Sequence, residues 1–73
     1  MDPNETLAEM RRLVSEIAEA MSDAYEAEPL ARAARHYERA DTLRANLADT
    51  FVALDEWLTN GGFPPAAWMN GRP

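Results

Sequence analysis

The chain has no cysteine, no lysine, a single histidine and a single isoleucine. Each scarcity excludes something. Without cysteine there is neither a disulfide staple nor a thiolate metal site. Without lysine, seven arginines face thirteen acids, for a net charge of −6. A surface that tracks nucleic-acid phosphates needs clustered basic residues, so no direct nucleic-acid binding is expected. The longest strongly apolar run is a few residues, whereas a membrane-spanning helix needs about 20, so no membrane segment is expected. Met1-Asp2-Pro3-Asn4-Glu5 is acidic and polar and lacks the basic and apolar regions of a signal peptide. A cytoplasmic location follows as an expectation.

What is present is mostly small. The 73 residues are 47% hydrophobic, but 14 of those residues are alanine, leaving 20 larger apolar or aromatic side chains. Ordering costs roughly 1.5 kcal/mol per residue and burial returns about 25 cal/mol per Å², so the two nearly cancel in so short a chain. A single small domain that self-associates or needs a partner is expected.

Two helices account for most of the length. Asp2 is placed to cap the first, Pro3 to occupy its first position, and Glu5 to complete a capping-box-like arrangement. Apolar residues recur at Leu7, Met10, Val14, Ile17, Met21 and Ala24, in steps of three and four. Leu13 and Ala20 widen this stripe on one side. Glu28-Pro29 breaks the helix near Ala27, and Pro29 can open the next. The second stripe runs Leu30, Ala33, Tyr37, Ala40, Leu43, Leu47, Phe51, Leu54 and Leu58, and Asn60-Gly61-Gly62 stops it. The reading is therefore helix 2–27, helix 29–60 and tail 61–73, within one domain.

The short link makes the helices antiparallel, so residues whose numbers sum to about 57 should lie side by side. Charge agrees with this. Residues 2–28 hold eight acids and two arginines, while residues 29–45 hold four arginines and two acids. Asp23 is expected opposite Arg35, and Glu26 opposite Arg32. The tail, Phe63-Pro64-Pro65-Ala66-Ala67-Trp68, is expected to fold back over the open end of the hairpin onto Leu7 and Leu54, with residues 70–73 fraying.

The two ends, Met-Asp-Pro-Asn at 1–4 and LDEWLTNGGFPPAAW at 54–68, resemble a group of small proteins from phages that infect actinobacteria. The specific part is Leu54-Asp55-Glu56-Trp57-Leu58, then Gly61-Gly62-Phe63, Pro65 and Trp68. Pro64 departs from the pattern, where an aliphatic residue is more usual. The resemblance implies a phage origin and a short helical protein. It implies no activity. The arginine-only, alanine-rich composition independently fits a coding sequence of high G+C content.

Four constellations bear on chemistry. Glu16-x-x-Glu19 and Glu38-x-x-Asp41 resemble the paired carboxylate signature with which all-α nucleotide pyrophosphohydrolases hold magnesium. On the stripes above, however, these carboxylates face outward and read as solvated helix faces. His36 has no second histidine or cysteine to form a metal site with, and reads as a surface or boundary residue. The serines and threonines lack a nucleophile-elbow context. Trp57, Phe63 and Trp68 read as tail packing at the hairpin's open end or as a partner-binding patch.

The expectation is an all-α antiparallel two-helix hairpin with an aromatic and proline-rich tail, dimerising into a four-helix bundle. Leu13, Ala20, Ala34, Ala48 and Val52, off the direct seam, would be available for that contact. No catalytic residue, metal or cofactor is expected. The expected role is that of a phage accessory protein acting by protein–protein interaction on a host or phage protein. An acidic nucleic-acid mimic and a magnesium-dependent pyrophosphohydrolase are the alternatives.

Overall fold

A computed structural model describes residues 1–69, and the fraying expected of residues 70–73 lies outside them. Helix α1 spans Pro3–Glu26, α2 Leu30–Thr59 and the short α3 Ala66–Met69, with no strand among the described residues. The two long helices pack against each other as an all-α hairpin.

The caps explain the boundaries. Asp2 Oδ1 accepts the backbone N–H of Asn4 at 2.9 Å and of Glu5 at 3.4 Å, satisfying two of the donors that a helix start leaves open. Pro3 sits buried in the first turn. The reciprocal half of the capping box is absent among the described residues; instead the Thr6 hydroxyl donates to the Asp2 carbonyl at 3.0 Å. Pro29 is the N-cap of α2 rather than its first residue. Its ψ of 177° is extended, and its carbonyl accepts the N–H groups of Arg32 and Ala33.

At the other end, Gly61 N–H bonds the Leu58 carbonyl at 3.1 Å and Gly62 N–H bonds the Trp57 carbonyl at 2.8 Å. This pair of bonds is a Schellman motif. It requires a left-handed residue, and Gly61 supplies one at φ +92°.

The core is rotated from the expected stripes. Leu13, Ala20, Ala40 and Leu43 form its buried centre, with Ile17, Met21 and Leu47 packed against it. Val14, expected in the seam, is 55% exposed, while its neighbour Leu13 is 1% exposed. Leu30, Tyr37 and Phe51 are exposed as well. The true seam runs Met10, Leu13, Ile17, Ala20 and Ala24 on α1, and Ala33, His36, Ala40, Leu43, Leu47, Thr50, Leu54 and Trp57 on α2. Both sets keep the three–four alternation of an a/d heptad. Leu13 and Ala20, expected to be available for a second copy, are instead spent inside the hairpin.

The register is close to expectation. Glu16 Oε1 meets Arg39 Nη2 at 3.3 Å across the helices, a pair whose numbers sum to 55. The expected pairs Asp23–Arg35 and Glu26–Arg32 are not among the ion pairs of the described residues. Arg35 lies beyond the flanking position, and the arginines beside the seam are Arg32, level with Asp23, and Arg39, level with Glu16. The molecule measures 49 × 27 × 15 Å with a radius of gyration of 15.5 Å. A compact chain of this length would have a radius of gyration of about 11 Å, so the hairpin is a rod with little depth.

Candidate functional site

With the seam in place, each helix has two flanks. In antiparallel pairs the position after d on one helix (e) faces e on the other, and the position before a (g) faces g. The g flank carries Glu9, Glu16 and Asp23 against Arg32, Arg39 and Asn46. The e flank carries Leu7, Val14 and Met21 against Tyr37, Arg44 and Phe51. One side of the rod is therefore charged and the other largely apolar.

The charged flank is closed by an arginine network. Arg12 grips Glu9 with two bonds, from Nε at 2.9 Å and from Nη2 at 2.6 Å, and its Nη1 also bonds Glu16. Glu16 reaches on to Arg39. The hydrogen bonds from Arg12 hold the Glu9 carboxyl below the ordinary carboxylate range.

This alters the reading of the four carboxylates. Glu16 does not point away from the seam; it flanks it and is half-buried. It is bound by two arginines, and Asp41 by Arg44 at 3.0 Å, while Glu19 and Glu38 are exposed. The four do not converge: among the described residues, no three His, Cys, Asp or Glu side chains are grouped to hold a metal ion. His36 is half-buried at a seam position.

The apolar flank is open. A groove of about 790 Å³ runs along it, walled by Leu7, Met10 and Val14 on α1 and by Leu47, Phe51 and Val52 on α2. Arg11, Ser15, Arg44 and Ala48 complete its walls, and no carboxylate lines it. Val14, Phe51 and Val52 each expose about half of their surface. Sequence reading missed this groove because it merged the flank with the seam; Leu7, Val14, Tyr37 and Phe51 have the right spacing for either.

At the open end, the tail returns to the start of α1. Ala66 N–H donates to Asn4 Oδ1 at 2.7 Å, and Pro65 is fully buried. The Trp57 indole donates to the Phe63 carbonyl at 2.8 Å, and the two rings meet edge to face with centroids 5.5 Å apart. Gly62 is pressed against the indole: a Cβ there would lie 2.3 Å from Cε2. Residues from both ends of the chain thus meet at one cap.

The three singled-out aromatics have different positions in that cap. Trp57 is half-buried and built into it. Phe63 is 60% and Trp68 48% exposed, and Met69 beside them is exposed too. The proline, not the two outer aromatics, is what the tail buries. No family model, curated protein or solved structure matches the chain.

Proposed function

We propose that this is a small phage accessory protein that acts without enzymatic chemistry, by binding a host or phage protein in the cytoplasm of the infected cell. The observation that carries the reading is the capped end, where Phe63 and Trp68 present large apolar surfaces on a docked tail. Large aromatics are favoured anchors of protein interfaces. Here they are held in advance: Phe63 by its contact with Trp57, and Trp68 by the turn of α3 that begins at the Asn4–Ala66 bond. Holding an anchor in place lowers the ordering cost of binding. The phage assignment rests on the resemblance of the two ends.

The test is photo-crosslinking in the cell, with a benzoylphenylalanine in place of Phe63 and, as control, in place of Thr42 on the far flank. A discrete adduct with another protein at position 63, absent at 42, is the expected result. No adduct at 63 beyond the chain itself would overturn the reading.

A further inference from the structure

The apolar flank is a second surface, separate from the capped end. We propose that it is the contact by which two copies of this chain form a four-helix bundle.

Helices of a bundle are apolar at a, d and one of the flanking positions, whereas a two-stranded hairpin needs a and d alone. Here a, d and e are apolar on α1, at Met10, Leu13 and Val14, and on α2 the apolar a, d and e positions are Leu47, Leu43 and Phe51, with Thr50 the one polar d position beside the groove. The register that pairs Glu16 with Arg39 puts the e residue Leu7 level with Phe51 and Val14 level with Arg44, and all four line the groove. A second hairpin of the same sequence offers knobs of the same spacing, and crossing at about 20° sets them between those of the first.

Charge is the second argument. Two copies of net charge −6 repel each other over most of their surface. The groove is where that repulsion is least, because its walls hold no carboxylate and two arginines, one of them already paired with Asp41.

Area supplies the third. The chain exposes 5202 Å², whereas a compact monomer of 8.2 kDa exposes roughly 4,500 Å². The excess approaches the share of about 800 Å² that each partner gives to a standard interface. Covering the groove would bring the rod close to ordinary globular proportions.

The test is sedimentation equilibrium of the full chain at 10 to 100 µM (roughly the range in which weak dimers populate), comparing wild type with Val14→Glu, Val52→Glu and Thr42→Glu. Val14 and Val52 are exposed in the single hairpin, so the glutamates leave its core intact, and unchanged helical circular dichroism confirms that they do. Wild type and Thr42→Glu sediment as dimers, while either valine variant raises the dimer dissociation constant roughly tenfold or more. A wild type that stays monomeric throughout, or a dimer that both valine variants leave unchanged, would overturn the proposal. Neither result bears on the crosslink at position 63, which lies outside this flank.

Discussion

The Trp57 indole donates its Nε1 proton to the carbonyl of Phe63 at 2.8 Å, and this bond ties the end of α2 to the start of the tail. The chain between them has to reverse within five residues. Gly61 provides the left-handed turn, and Gly62 leaves room for the indole to lie against the backbone.

The two glycines are therefore not equivalent. Gly61→Ala meets no neighbour within 4 Å but forces an L-residue to φ +92°, which should cost about 1 kcal/mol. Gly62→Ala puts a methyl group into the Trp57 ring, and overpacking of this kind costs about 1–3 kcal/mol. Urea denaturation should rank Gly62→Ala as the more damaging, with a shift in tryptophan fluorescence that Gly61→Ala lacks. Equal stabilities would contradict the tight contact.

Truncation at Asn60 should lower the melting temperature, because it removes the buried Pro65, exposes the surface that Pro65 covers and deletes the Asn4–Ala66 bond. A net hydrogen bond is worth about 1 kcal/mol, and each kcal/mol corresponds to about 4–8 °C in a domain of this size. Pro65→Ala should account for more of the loss than Trp68→Ala, since Trp68 keeps nearly half of its surface in water. Thermal melts followed by circular dichroism at one concentration decide this; a truncated chain that melts with the full one would mean the tail adds nothing to the fold.

The rotation of the seam gives a third contrast. Leu13→Ala should cost about 2–5 kcal/mol, as deletion of a buried leucine does. Val14→Ala, one residue along and mostly exposed, should cost under about 1 kcal/mol in dilute solution. Denaturation of the two variants at low micromolar concentration is the check, and a reversed order would restore the stripe through Val14.

The Glu9–Arg12 pair sets a pH dependence. Because its hydrogen bonds lower the Glu9 carboxyl's pKa in the folded chain, its stabilisation is present above the unfolded value of about 4.3. It is lost as the pH falls through the lower, folded value. Glu9→Gln should thus melt slightly below wild type at neutral pH, and the gap should close in acid. A gap that widens on acidification would refute the sign.

Much of the fold was legible because its boundaries are chemical. Asp2 and Pro3 mark a helix start, Glu28-Pro29 a break, and Gly61-Gly62 a stop, each through a local backbone rule that needs no knowledge of packing. The facing stripes were less legible. In α1 both Val14 and Leu13 continue a three–four alternation, and periodicity alone does not say which points inward. The alanines decide it: Ala20 and Ala40 are fully buried, and small residues there suit close approach of the helices, yet they give a weaker apolar signal than Met21 and Tyr37. The site was half legible. Trp57, Phe63 and Trp68 stood out as aromatics, but Pro65 as the buried residue and Asn4 as its neighbour's acceptor join positions more than sixty residues apart, which no local pattern reveals.

The aromatics of the cap are divided: Trp57 belongs to the fold, and Trp68 leaves about half of its surface open to solvent. The chain has two tryptophans, so its two indole N–H signals report on that division in one experiment. Hydrogen exchange followed by nuclear magnetic resonance should show the Trp57 indole proton protected by the Phe63 carbonyl and the Trp68 indole proton exchanging fast. Two indole protons exchanging equally fast would contradict the account, for the Trp57–Phe63 bond that ties the end of α2 to the tail would then not hold.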